Sequence, residues 1–460
     1  MAVGQTIDIS RLIDERGLSR FNIGLVIFAF FIVMIDGYDI SAMGFALPAL
    51  ARDWHLTNQA ALGPVLSAGL VGMLFGAPLL GAIGDRYGRK RAIVGSCILF
   101  GVFTWCTVRA TSLSDLIWLR FLAGIGIGGF MPNIIALTAE FAPRRFRSTM
   151  VILMFTGVGF GGGLPGPVAA AFVPTHGWQI LFTVGGIIPL VVALVSWIWL
   201  PESIKYLTIA EGKQQARLRL LRRVRPDRSF TSDDTFVIED EKQYDGWTPK
   251  HLFSDGLHFI TPLLWLLFVV NLMGYFFLVS WTPFLLASAH VPMTKAALAQ
   301  TVFQIGGAAG GWVLCRPMDK RGLQPITIMF VLAVPVVALI GAVGTVSETL
   351  LMVVEFFAGF FILGLQLGLN ATAAAMYPTS LRSKGSGWAL GIGRFGAIVG
   401  PILGGYLIAM KLPVSQLFVI AAIPFAIGAV ACWVLTQLYV ARFRGAGLDQ
   451  REVLEAAKGG

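Results

Sequence analysis

Residues 81–90 read Gly81-Ala82-Ile83-Gly84-Asp85-Arg86-Tyr87-Gly88-Arg89-Lys90 and lie between two long apolar stretches. One carboxylate stands among four cations, Arg86, Arg89, Lys90 and Arg91. Glycines at 81 and 84 let a neighbouring helix approach closely, and Asp85 has several cations with which to pair in turn. A loop that merely carried positive charge would need neither the glycine spacing nor the acid.

Outward from this decade the chain is built for lipid. Of 460 residues, 56% are hydrophobic and 13% charged, a balance that soluble domains do not reach. A spanning helix needs about 20 predominantly apolar residues. Such runs begin near Phe21, Ala60, Ala92, Leu116, Met150, Trp178, Phe259, Ala296, Thr327, Leu350, Ser386 and Val414, which predicts twelve spans. The even number puts both termini on one side, and the basic residues choose it. With the termini cytoplasmic, only Arg52, Arg109, Lys295 and Lys411 fall in outer loops, and only Arg120 and Arg394 fall inside spans. The other basic residues are all internal, so the net charge of +10 reflects membrane topology and attraction to anionic lipid. It gives no reason to expect nucleic acid as a partner. The first run is too long for a signal-peptide core and lacks a small-residue cleavage pattern.

The expected organisation is an N-terminal segment (1–20), a six-helix bundle (21–200), a cytoplasmic linker (201–258), a second six-helix bundle (259–438) and a C-terminal tail (439–460). The linker's first part, 201–224, reads as a basic amphipathic helix for the membrane surface, and 225–246 as poorly ordered. The halves repeat each other. Arg120-Phe-Leu-Ala-Gly124 returns as Glu355-Phe-Phe-Ala-Gly359, Pro143 as Pro378 and Arg147-Ser148 as Arg382-Ser383, all at an offset of 235. Asp85-Arg-Tyr-Gly88 returns as Asp319-Lys-Arg-Gly322 at 234.

The decade at 81–90 matches the signature loop of the major facilitator transporters, and two six-helix repeats are the plan of that fold. Glu140-Phe-Ala-Pro143-Arg-Arg-Phe-Arg147 resembles that superfamily's motif at the inner end of span four, and Pro201-Glu202-Ser203 resembles the close of span six in its sugar porters. The resemblance implies an all-α membrane protein of two pseudo-symmetric bundles. It also implies a cytoplasmic gate of Gly81, Asp85, Arg86, Gly88, Arg89, Glu140, Arg147, Asp319 and Arg382. Asp36-Gly-Tyr-Asp39, followed by Gly44 and Pro48, together with Trp388 to Gly405 in span eleven, resembles the aromatic acid:proton symporters. That family implies import of benzoate-like acids, such as 4-hydroxybenzoate, across a bacterial inner membrane.

Ionisable groups at membrane depth cost roughly 2.5 to 3.5 kcal/mol each on insertion scales and are functional candidates by default. Asp36 and Asp39 lie one turn apart in span one, and Arg120 is expected at a similar depth in span four. An acid beside a cation can release and take up a proton as the cation moves away, so Asp39, with Asp36 second and Arg120 as partner, is the expected proton-coupling set. A permanent ion pair joining the two spans is the competing reading. Arg394, near the middle of span eleven, is a fixed cation with a planar fork suited to carboxylates; its anion is either the substrate or an acid such as Glu355. Asn133, Asn271, Gln304, Gln366 and Asn370 offer amides, and Tyr275 and Trp388 offer aromatic faces, to a flat acid bearing a ring hydroxyl.

The four cysteines and five histidines show no metal spacing or relay placement, and no nucleophile or nucleotide loop appears. No cofactor beyond a proton gradient, no metal and no enzymatic activity are expected. The partners that the resemblance implies are an aromatic carboxylate and protons, with membrane lipids around them. A facilitator-type carrier of an aliphatic acid, a sugar or an exported drug, or a transporter-like acid chemoreceptor, remains compatible with the same residues.

Overall fold

The computed structural model describes residues 6–15, 17–56, 58–210, 212–228, 230–231, 234–237, 252–253, 257–344, 346–377 and 382–443. A short strand, β1 (Thr6–Asp8), and helix α1 (Ile9–Asp14) precede the first long helix, α2 (Arg20–Asp53). There follow α3 (Leu62–Tyr87), α4 (Arg89–Cys106), α5 (Leu113–Phe141), α6 (Arg147–Gly163), α7 (Pro165–His176) and α8 (Gln179–Trp199). The α6–α7 break falls before Pro165, whose ring nitrogen has no hydrogen to continue the ladder. Together α6 and α7 make the fifth expected span.

Helices α9 (Ile204–Ile209) and α10 (Gln214–Val224) and strand β2 (Thr235–Val237) form the described part of the linker. The second half contains α11 (Ile260–Ser288), α12 (Met293–Arg321), α13 (Gln324–Val343), α14 (Glu348–Met376) and α15 (Arg382–Ala409). It ends with α16 (Val414–Ala421) and α17 (Ile423–Phe443), which divide the last span between them. Eleven helical stretches among the described residues are long and apolar enough to cross a membrane. The remaining expected span, α12, has 29 residues, ample at 1.5 Å per residue. Gln300, Gln304 and a charged last turn make it less apolar, and it lies in close packing with α14.

Two compact units divide the chain. The first comprises residues 1–37, 71–161 and 182–246; the second comprises 38–70, 162–181 and 247–460. Division at the linker alone would not give these units, because parts of α2, α3 and the α6–α7 span belong to the second. Within that unit Ser67 Oγ on α3 donates to the Ile398 carbonyl of α15 at 2.7 Å, and Thr301 Oγ1 on α12 donates to the Gly163 carbonyl at 3.2 Å.

The repeat read from sequence has a counterpart in packing. In the first unit, a Cβ on Gly72 or Gly76 of α3 would collide with the carbonyls of Phe121 and Ile125 on α5. In the second, a Cβ on Gly306 or Gly310 of α12 would collide with those of Phe356 and Phe360 on α14. The four glycines are related by 234 positions and their four partners by 235, the offsets found in the sequence. Each repeat therefore brings two backbones together at the same place, a contact that only a missing side chain permits.

The linker departs from expectation. The apolar face of α10, Leu220, Leu221 and Val224, is buried with Ile9, Leu12 and Ile13 of the N-terminal segment and with Phe230 and Phe236. Protein covers this face, so it is not free to lie on a membrane. β1 and β2 pair in parallel, Thr6 with Thr235 and Asp8 with Val237. Arg225, 6% exposed, donates to the Leu12 carbonyl at 2.6 Å and grips Asp227 through Nε and Nη2 at 2.9 to 3.1 Å. Residues 225–228 and 234–237 thus have defined structure, against the reading of 225–246 as poorly ordered; 238–246 lie outside the described residues.

Candidate functional site

The two carboxylates of α2 are buried, Asp36 at 3% and Asp39 at 9% exposure. Because α2 has 34 residues, Asp36 lies at its middle, and Asp39 follows one turn on. Arg120, the eighth residue of α5, is 3% exposed, and its guanidinium lies over the Phe182 ring at 5.3 Å. A cation on an aromatic face gains from the ring quadrupole, which offsets part of the cost of burial. Tyr38, between the acids, donates its hydroxyl to the Leu181 carbonyl at 3.1 Å.

The amides divide into two kinds. Asn133 on α5 donates through Nδ2 to the Leu80 carbonyl of α3 at 3.0 Å and to the Gly129 carbonyl of its own helix at 2.8 Å. Its carbonyl fills the space over Gly84 that a Cβ would need. It fastens α3 to α5 and presents no donor to a ligand. Asn271 on α11, fully buried, instead donates to Gln366 Oε1 on α14 at 3.0 Å, and Gln366 Nε2 reaches Asn370 Oδ1 at 3.3 Å. The chain runs from a buried amide through a half-buried one to exposed Asn370.

Of the other predicted residues of the second unit, Arg394 lies near this chain in depth, while Tyr275, Gln304 and Trp388 are spread along their helices. Gly393 of α15 lies where a Cβ would touch Phe268 and Leu272 of α11, so Arg394, beside it, comes within about one helical turn of Asn271 in depth. Tyr275, a turn further along α11, stacks on Phe303 of α12 with ring centroids 6.2 Å apart. Phe303 is followed by Gln304, which is 4% exposed. Trp388 of α15 stacks on Trp265 of α11 at 6.1 Å and 20°. Trp265 was missed in the sequence because one more tryptophan in an apolar run has no distinguishing pattern. The unit thus contains hydrogen-bonding amides, a half-buried guanidinium and stacked indoles, which suit a flat anion by charge, edge and face.

At the end of the first unit expected in the cytoplasm, the predicted gate residues form a network. Arg89 pairs with Asp85 at 3.2 Å and with Glu140 at 2.7 Å; the Asp85 side chain is 70% exposed and the Glu140 side chain 4%. Glu140 Oε2 accepts from Ser203 Oγ at 2.6 Å. Glu202 Oε1 accepts from the backbone nitrogens of Lys90 and Ser203 at 3.0 and 2.9 Å. Gly88 has φ of 104° and faces the Glu202 carboxylate so closely that a Cβ has no room, a conformation and a contact that both favour glycine. Gly81 lies inside α3, and Arg86 lies over the Tyr87 ring at 5.5 Å. The roles of Ser203 and Glu202 went unassigned in the sequence because their partners are more than 60 residues away. The side chains of Arg147, Asp319 and Arg382 lie outside the described residues. Among the described residues no group of acids, histidines or cysteines is arranged to hold a metal.

The Major Facilitator Superfamily profile matches residues 29–365 and, in a second match, 264–452. The chain therefore belongs to the Major Facilitator Superfamily and is a multi-pass membrane transporter, not an enzyme. Its relatives narrow the class. It is 34% identical over 430 residues to the 4-hydroxybenzoate transporter PcaK of Pseudomonas putida, covering 93% of this chain and 96% of that one. It is 35% identical over 430 residues to the gallate transporter of Pseudomonas putida, covering 93% and 95%. In fold it resembles a solved D-xylose-proton symporter, with a TM-score of 0.67 at 16% identity over 90% of this chain and 97% of that one. It is thus related to transporters of aromatic acids.

Proposed function

We propose that this protein imports an aromatic carboxylate, 4-hydroxybenzoate or a closely related hydroxybenzoate, together with protons across the bacterial inner membrane, with both termini cytoplasmic. The observation that carries the proposal is the similarity, over 93% of the chain, to two transporters whose named substrates are both hydroxylated benzoates. The second unit has chemistry to match. Arg394 offers a fork to the carboxylate, the Trp265–Trp388 pair offers a face to the ring, and the Asn271–Gln366–Asn370 chain offers donors and acceptors to ring hydroxyls.

Coupling is assigned to Asp39 and Asp36 with Arg120. Protonation of a buried carboxyl removes the charge that a nearby cation holds in place, so Asp39 takes the proton from outside and frees Arg120 as the loaded carrier rocks inward. At a membrane potential of 100 mV each translocated charge is worth about 2.3 kcal/mol, so more than one proton per monoanion makes uptake electrogenic.

The test is uptake of labelled 4-hydroxybenzoate into liposomes under an inward-directed proton gradient. Wild type accumulates the acid; Asp39→Asn retains counterflow exchange and loses gradient-driven accumulation; Arg394→Ala loses binding. Exchange of an aliphatic acid or a sugar in preference to hydroxybenzoates would move the protein to another substrate class. Saturable binding without any flux would point to a receptor.

A further inference from the structure

Glu355 is, with Asp36, one of two deeply buried acids that each have a carboxylate oxygen without a hydrogen-bond partner among the described residues. It sits eight residues into α14, with 2% exposure, and its Oε1 has no hydrogen-bond partner among the described residues. The helices packed against α14 are α11, α12, α13 and α15, and their charged and titratable groups are few. α13 has none, and α11 contributes only the Tyr275 phenol. On α12, Lys295 is engaged with Glu348 at one end, and Cys315, Arg316, Asp319, Lys320 and Arg321 fall in the last seven residues of its sequence. On α15 they are Arg382 and Lys384 at its start, Arg394 and, near its end, Tyr406.

The nearest fixed cation in depth is Lys295, but it is paired with Glu348, seven residues or about 10 Å along α14 from Glu355; Arg394 is further away. Asn271, within about a turn of Arg394, bonds to Gln366 on α14, and Gln366 is eleven residues from Glu355. At 1.5 Å per residue that is about 16 Å along the helix. The expectation that Glu355 supplies the anion for Arg394 is therefore not met.

The neighbours that do share the level of Glu355 are neutral. Gly306 of α12 abuts Phe356, and Gly359 of α14 abuts Phe303, which brings Gln300 and Gln304 of α12 to the height of Glu355. Gln300 is 2% and Gln304 4% exposed; Nε2 of the first and Oε1 of the second lack partners. Neither amide compensates the acid: Gln300 Nε2 and Glu355 Oε1 both stand without a hydrogen-bond partner among the described residues, and the Gln304 amide nitrogen lies over Gly162. An ionised carboxylate buried without a counter-charge is among the costliest groups a protein can hold, and such groups neutralise instead. The repeat adds a second, independent indication. Glu355 occupies, at the offset of 235, the position that Arg120 holds in the first half, and the glycine contacts beside both are equivalent. One half carries a permanent cation there, and the other carries a group that can be neutral or negative.

We propose that Glu355 is a second proton-binding carboxyl, protonated in the form of the protein seen here and placed in the second repeat where the first carries Arg120. The proposal concerns the charge on this side chain and does not require that the substrate be a hydroxybenzoate. It is tested on purified full-length protein by infrared spectroscopy of the carbonyl stretch of protonated carboxylic acids at neutral pH. The expected result is a band that shifts when glutamate is labelled with carbon-13 at its side-chain carboxyl, which separates it from Asp36 and Asp39. The band disappears in Glu355→Gln and persists in Glu140→Gln. A wild-type spectrum without a glutamic acid band, or a band that Glu355→Gln leaves in place, overturns the proposal. If Glu355→Gln does not fold, the labelled wild type and labelled Glu140→Gln still decide: a band common to both supports Glu355, and its absence from either refutes it. In liposomes, loss of all hydroxybenzoate flux from wild type would reject the proposed substrate without touching this result.

Discussion

Arg89 touches two acids, and the structure predicts that they matter very differently. Glu140 is 2.7 Å from its Nε, with a side chain 4% exposed, and its other oxygen accepts from Ser203. Asp85 is 3.2 Å away with a side chain 70% exposed. Removing one partner of a buried ion pair costs about 3 to 5 kcal/mol, because the remaining charge is left uncompensated in low dielectric. Removing a solvent-exposed partner costs about 0 to 1 kcal/mol. Arg89 itself is 19% exposed, and in Glu140→Gln it keeps Asp85 as a partial substitute, so the low end, about 3 kcal/mol, is the expected cost. Asp85→Asn leaves the buried pair intact and costs less than about 1 kcal/mol.

At about 2 °C per kcal/mol for a domain-sized unit, Glu140→Gln lowers the unfolding midpoint by about 6 °C and Asp85→Asn by about 1 °C. Tryptophan fluorescence of the purified protein during heating measures both. Ser203→Ala removes one hydrogen bond to a charged acceptor, worth about 1.5 to 3 kcal/mol. Its effect falls short of additive with Glu140→Gln, because both variants break the same contact. Equal shifts for the two acids, or a larger one for Asp85→Asn, would refute the assignment of the buried pair as the stronger fastening.

Three further outcomes follow from particular contacts. Gln366→Leu leaves the Asn271 amide with only the Ile362 carbonyl at 3.4 Å, an unmade buried bond worth about 1 to 3 kcal/mol; 4-hydroxybenzoate binding, read from quenching of tryptophan fluorescence, weakens about 5- to 100-fold, while Asn370→Ala at the exposed end has a smaller effect. Gly72→Val and Gly306→Val place side chains against equivalent backbone carbonyls and reduce the yield of monodisperse protein to a similar extent; tolerance of one and not the other would show that the two repeats are not packed alike. Arg225→Ala removes the bonds that tie Leu12 and Asp227 together, costing about 2 kcal/mol, and speeds amide hydrogen exchange in Ile9–Asp14 about thirtyfold, whereas unchanged exchange would mean that apolar burial alone holds the segment.

The parts of this protein readable in its sequence are those where the solvent leaves no choice. A bilayer demands long apolar helices, so the spans could be read from composition, α12 among them although Gln300 and Gln304 dilute it. Close helix approach demands a missing side chain, and the glycines at 72, 76, 306 and 310 lie at the repeat spacing, but only the packing singles them out among 54 glycines. The linker follows no such rule. Its basic helix has the composition of a membrane-surface element, and only the fold reveals that Ile9, Leu12, Phe230 and Phe236 cover the apolar face.

Site residues fall between these cases, and two asparagines show why. Asn133 and Asn271 are both buried amides in helices of mixed glycine and apolar content, and nothing in the sequence around them separates their roles. Their bonds do. Both donor bonds of Asn133 end on backbone carbonyls, one on its own helix and one on Leu80 of α3, and releasing the second unfastens α3 from α5. The bonds of Asn271 continue through Gln366 to Asn370, which is exposed, so a ligand hydroxyl arriving at the open end can exchange with one side-chain bond and propagate a rearrangement inward at little cost. An amide is a binding group when its hydrogen bonds are exchangeable and a fastening when they are not. Which of these it is depends on where the chain of bonds ends, and that is a property of the fold.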